Sequence, residues 1–212
     1  REQIQVLTER SNNFGKGILA SATTPFEAWT GYFTIWYPSC NYPLAATFLS
    51  RPVCEKIQSF AVNATLIKCK FNRKFPRAVA FGSPRYGGMG MRHMWYEQGI
   101  QHVLIIIKHL RTPGDFQSIL QINLRWYTLL SGMPFAPLEF PEVSLPHLDH
   151  KWLNMAREFL KHSRSKLRIP SIPNPVIYRT ADRFIMEAVL SLSYTPGQVK
   201  QVDCCRLFLR AT

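Results

Sequence analysis

The chain has 212 residues, enough for one compact domain or two small ones with a real core. Hydrophobic residues make up 46% of it and aromatic residues 13%, which excludes a disordered tail. Lys and Arg outnumber Asp and Glu by 26 to 13, and the resulting net charge of +13 points to a polyanionic partner.

The first 20 residues have weak helical periodicity, with Ser11-Asn12-Asn13 as a candidate break. Thr24-Pro25-Phe26-Glu27 carries the signature of a helix start: Thr24 as N-cap, Pro25 at the first position and Glu27 at the third. That helix runs to about Trp36, with Trp29, Phe33 and Trp36 on one face, and Pro38 and Pro43 bracket a turn. The next helix spans about Pro52 to Lys68, with Ser50 as cap and Val53, Ile57, Phe60 and Ala64 on one stripe. Residues 71–91 are rich in Gly and Pro and read as a loop containing a short strand, Ala78–Phe81.

Arg92–Leu110 reads as a long helix with Met94, Ile100, Leu104 and Ile107 inward. After Pro113-Gly114 a helix over Asp115–Leu130 turns Ile119, Ile122, Trp126 and Leu130 to the core. Pro134, Pro137, Pro141 and Pro146 mark a linker or wrapping segment, residues 132–148. Asp149 caps a helix through about His162. A second strand signal lies at Leu167–Ile169, and Pro170, Pro173 and Pro175 make another break. Helices over Ala181–Leu192 and Thr195–Leu209 close the chain, the last with Thr195 as cap and Pro196 at its first position. The fold class is therefore mainly α: a bundle-like arrangement with long Pro/Gly-rich connections and few short strands. It divides into a helical region 1–131 and a C-terminal helical region 149–212.

No pattern for a catalytic or metal centre stands out. The four aspartates, Asp115, Asp149, Asp182 and Asp203, are scattered. Two-metal phosphoryl transfer needs clustered carboxylates. The five cysteines, Cys40, Cys54, Cys69, Cys204 and Cys205, form no Cys-x-x-Cys and read as free thiols in a reducing, intracellular compartment, with Cys204 and Cys205 packed in a core. His147 and His150 read as a surface cluster at a helix start, and His102 and His109 as packing residues. Catalytic residues, a metal and a cofactor are not expected. The longest aliphatic run, Val103–Ile107, falls far short of the roughly 20 residues that cross a bilayer, so a membrane is not an expected partner. The chain opens on Arg1 without an initiator Met, as a segment cut from a longer protein does.

The charge is concentrated. Residues 68–92 hold seven cations and no acid: Lys68, Lys70, Arg73, Lys74, Arg77, Arg85 and Arg92. Phe71, Phe75 and Tyr86 are interleaved with them. Cations contact phosphates and aromatic faces stack bases, so these seven are the candidate nucleic-acid-binding residues. Gly87, Gly88 and Gly90 supply a flexible backbone that permits unusual angles and close approach. Lys161, Arg164, Lys166 and Arg168 form a second basic cluster, which also suits a plain helix end.

The order Ala28-Trp29 with Tyr32, Tyr42-Pro43-Leu44, Cys54-Glu55-Lys56-Ile57-Gln58, Asn72-Arg73 and Arg85-Tyr86-Gly87-Gly88-Met89-Gly90-Met91-Arg92-His93 resembles the region after the polymerase core in reverse transcriptases of non-LTR retrotransposons. In that family a Gly-Gly-Leu-Gly-like motif follows a basic patch and opens a long helix; here Met89 and Met91 stand where Leu is commoner. The resemblance covers mainly residues 24–111. The family's paired catalytic aspartates are missing, so polymerase activity does not carry over. What the resemblance implies is a thumb-like, helical, template–primer-contacting role beside the rest of a polymerase chain, on RNA, DNA or a hybrid duplex, in the cell and its nucleus. The alternative is a helical protein-interaction or structural module that binds no nucleic acid.

Overall fold

The computed structural model describes residues 2–170 and 184–211. They are mainly helical, and no strand occurs among them. The two expected strands are corrected: Ala78–Phe81 lies in a short helix and Leu167–Ile169 is irregular. A run of four apolar residues fits either state, and the neighbouring turns decided for helix. The chain divides into two compact units, residues 1–101 and 102–212.

In the first unit α1 (Glu2–Ala20) is unbroken, against the expected interruption at Ser11-Asn12-Asn13. Ser11 is fully buried and accepts a hydrogen bond from Trp36 Nε1 at 3.2 Å, so a polar residue serves as a core contact. α2 (Pro25–Gly31) starts with the expected capping box, in which Thr24 and Glu27 satisfy each other's backbone N–H. It continues through a π-turn (Tyr32–Trp36) into α3 (Tyr37–Asn41) and a 3-10 turn (Tyr42–Ala46). Pro38 and Pro43 therefore lie inside one helical run instead of bracketing a turn. The wide turn falls where Pro38 has no N–H to donate.

α4 (Arg51–Lys68) packs along α1 and buries Cys54, Ile57, Ala61, Val62, Ala64 and Leu66. Of these, the fully buried Ile57, Val62 and Leu66 side chains contribute about 1.5–3 kcal/mol each. Ser50 precedes α4 without making a side-chain cap bond.

Next come α5 (Arg77–Phe81), a 3-10 turn (Pro84–Tyr86) and α6 (Met94–Arg111), which spans the division between the units. The start of α6 is tied down by polar bonds. Gln58 accepts from the Met94 N–H at 2.8 Å, and Gln98 bonds the backbone of Leu49 and the Thr47 hydroxyl. Along α6 the buried positions are Met94, Trp95, Glu97, Gln98, Gly99, His102 and Ile106; of the expected inward face Met94 is buried, whereas Ile100 and Leu104 are exposed.

In the second unit α7 (Asp115–Ser131) buries Leu124, Tyr127, Thr128 and Ser131; of the expected inward stripe Leu130 packs against the core, whereas Ile119, Ile122 and Trp126 are exposed. Segment 132–148 contributes Met133, Leu138, Leu145 and Leu148 to the core, together with Leu153, Ala156 and Leu160 of α8 (Lys151–His162). The cap of α8 is His150, whose Nδ1 accepts from the Leu153 N–H at 3.3 Å; Asp149 stands one residue too early. His147 is buried against the Ser131 carbonyl, so the expected surface histidine cluster does not form.

α9 (Ile185–Leu190) adds Met186 and Val189. The expected break at Pro173 and Pro175 and the start of the Ala181–Leu192 helix lie outside the described residues. α10 (Pro196–Leu209) has the expected Thr195 cap, completed by Gln198. Cys204 and Cys205 are exposed, not core; Arg206, on the inward side of α10, is buried and donates to Asp203 and to the Leu129 and Leu130 carbonyls. All five cysteines are free, and among the described residues no helix is long and apolar enough to cross a membrane.

Candidate nucleic-acid interface

α4 ends in a Schellman motif: the Phe71 N–H bonds the Leu66 carbonyl and the Lys70 N–H bonds the Ile67 carbonyl. The geometry requires a left-handed residue, and Lys70 fills that place at φ 64° where glycine is usual. Asn72 then makes a tight turn, its carbonyl accepting from the Phe75 N–H and its side chain from the Lys74 N–H. The turn brings Phe71 and Phe75 together at 4.7 Å between ring centroids.

The turn after α5 folds back on α5 itself. The N–H groups of Met89, Gly90 and Met91 bond the carbonyls of Val79, Gly82 and Ala80, and that of Gly88 bonds Ser83. Gly87 and Gly90 have φ of 79° and 75°, and a Cβ on Gly88 would lie 2.2 Å from the Gly82 backbone. The close approach permitted by these glycines is thus to this chain's own Gly82.

This backbone sorts the seven cations into two groups. Lys70, Arg73, Lys74 and Arg85 are exposed, with no side-chain partner among the described residues. The other three have partners: Lys68 donates to the Ser21 carbonyl at 2.6 Å, Arg77 to Asn63 Oδ1, and Arg92 lies 3.5 Å from Glu97. The Arg92 pair is a surface one on the arginine side, and such pairs hold weakly. Tyr86 is 85% exposed, beside Arg85. In the second unit Lys161, Arg164, Lys166 and Arg168 are also exposed, with Arg168 3.6 Å from Glu139 and Lys166 over the Phe140 ring.

Next to the basic segment is a cleft that the sequence did not reveal. It has a volume of 820 Å³ and lies between α4, α5 and the first turn of α6. Arg51, Glu55 and Ser59 line it from α4, Arg77 and Phe81 from α5, and His93 and Tyr96 from the start of α6. Arg51 Nε donates to Glu55 Oε1 at 2.9 Å, and His93 Nε2 lies 3.6 Å from the same oxygen. His93 Nδ1 accepts from the Trp95 N–H at 3.2 Å. Burial holds His93 below the ordinary histidine value, against the raising effect of Glu55. The i, i+4, i+8 spacing of Arg51, Glu55 and Ser59 was the one local signal, and it reads equally as a solvated helix face.

Among the described residues no group of three or more His, Cys, Asp or Glu side chains could hold a metal ion. Comparison of the chain with protein-family profiles, curated proteins and solved structures finds no match.

Proposed function

We propose that this chain is a non-catalytic nucleic-acid-binding segment, gripping a template–primer duplex by charge and shape beside the rest of a reverse-transcriptase-related polymerase. The observation that carries the proposal is the exposed group Lys70, Arg73, Lys74 and Arg85, free of acidic partners among the described residues, the first three in the turn that pairs the rings of Phe71 and Phe75. Ammonium and guanidinium groups in this state lose no internal bond on meeting phosphate, and they release counterions when they do. Contacts of this kind position a duplex without reading its bases. The resemblance of residues 24–111 to the region after a polymerase core supports the same reading and extends it to an intracellular, nuclear setting.

The experiment is fluorescence anisotropy of the chain with an RNA–DNA hybrid across a salt series. The logarithm of affinity should fall with the logarithm of salt by roughly 0.7–0.9 per phosphate contacted. Replacing Arg73, Lys74 and Arg85 with Gln should weaken binding to all sequences alike and flatten that slope by about two units or more. Unchanged affinity and slope would reject the placement.

A second reading, a protein-interaction module, has one observation behind it: Phe116, Ile119, Ile122 and Trp126 make an exposed apolar stripe on α7. It predicts no salt-sensitive binding to the hybrid.

A further inference from the structure

The volume of the cleft beside the basic segment, 820 Å³, falls within the range of about 300–1,000 Å³ typical of small-ligand sites. Its walls differ in chemistry. Arg51 and Arg77 bring guanidinium groups from two separate helices. Phe81 and Tyr96 bring half-buried rings, both set edge-on to His93 at centroid distances of 4.9 and 5.3 Å. Glu55 brings a carboxylate whose side chain is 49% exposed. Its contacts with Arg51 and His93 both use Oε1, which leaves Oε2 facing no partner among the described residues. Gln58 Oε1 is engaged by the Met94 N–H and His93 Nδ1 by the Trp95 N–H, so these two acceptor atoms are already bonded within the chain.

We infer that the cleft takes one unstacked nucleotide, its base laid against Phe81 and Tyr96, its N–H edge on Glu55 and its phosphate on Arg77 and Arg51. A carboxylate only accepts hydrogen bonds. It therefore favours a base that offers adjacent donors. Guanine presents a ring N–H beside an amino group, whereas the same edge of adenine places an acceptor next to its amino group. Aromatic faces hold any base; the carboxylate chooses among them. For a nucleotide within a strand the inference rests on the nucleic-acid reading above; a free nucleotide carries the same chemistry.

The test uses the whole chain and three hybrid duplexes: one blunt, one with a single unpaired 3′ guanosine and one with a single unpaired 3′ adenosine. Free GMP is titrated separately. Glu55→Gln is nearly isosteric at an exposed site, and Phe81→Leu, checked by circular dichroism, is the second variant. The guanosine overhang should bind about tenfold more tightly than the other two, the worth of one charge-assisted pair. That gain should vanish in E55Q and shrink in F81L, with blunt-duplex affinity unchanged in both. Equal affinity for all three duplexes, with salt sensitivity kept, overturns the cleft and leaves the interface standing; so does a guanosine preference that survives E55Q. If no hybrid binds at low salt, the interface is wrong and free GMP decides the cleft: binding lost in E55Q upholds it as a mononucleotide site, and no binding overturns it.

Discussion

Lys70 holds a backbone angle that a side chain makes costly. A left-handed residue other than glycine loses about 1–2 kcal/mol to the clash of its Cβ with the carbonyl oxygen. Lys70→Gly should therefore raise stability by about 1 kcal/mol, measured by urea unfolding, while weakening hybrid binding. A gain in stability with no loss of affinity would detach this residue from the interface. His147 gives a pH handle of the opposite kind. Its Nε2 donates to the Ser131 carbonyl and its buried Nδ1 has no partner among the described residues, so a second proton finds nothing there to bond. Burial lowers its affinity for that proton, with Asp203 favouring and Arg206 opposing the charge. His93 is lowered likewise, and protonating its Nδ1 breaks the bond from Trp95. A histidine lowered in the folded state keeps its stabilising effect above the ordinary value of 6.5 and loses it as pH falls through the folded value. Unfolding free energy should thus decline as pH drops below about 6.5, and His147→Gln should make the decline shallower. A decline of the same steepness in the variant would assign it elsewhere.

Among the elements, the turn between α5 and α6 is the one most sensitive to a single atom. Gly88→Ala sets a methyl 2.2 Å from the Gly82 backbone, where no flexible side chain can yield. The variant should lose about 1–3 kcal/mol, seen as a lower melting temperature, and should bind hybrid less well as Arg85 is displaced. An unchanged melting temperature would show that the turn is free to rearrange.

Thr24-Pro25-Glu27 and Thr195-Pro196 marked their helices because capping is local chemistry, complete within four residues. The inward faces of α6 and α7 were legible only at Met94 and Leu130. Gln98, His102 and Thr128 are buried, and Ile119, Ile122 and Trp126 are not, so apolarity pointed the wrong way. The basic segment could be read as a cluster of like charge, but its division into partnered and unpartnered cations depends on Ser21, Asn63 and Glu97, which lie on other elements. The cleft joins residues 51 to 96, and no spacing within one helix announces it.

For the molecule as a whole, salt acts in two directions. A net charge of +13 repels itself, and dissolved ions screen that repulsion. The melting temperature should rise between low and physiological salt while hybrid affinity falls. A melting temperature that falls together with affinity would place stabilising ion pairs, not self-repulsion, in control. Removing Arg73, Lys74 and Arg85 should reduce both effects, since the same charges produce them.

The folding-back of residues 88–91 has a further consequence. Their amide protons are held by carbonyls of α5 and its following turn, although the stretch belongs to no helix. Exchange with deuterated solvent there is set by opening of the α5 segment, so four amides of an irregular loop keep time with a helix.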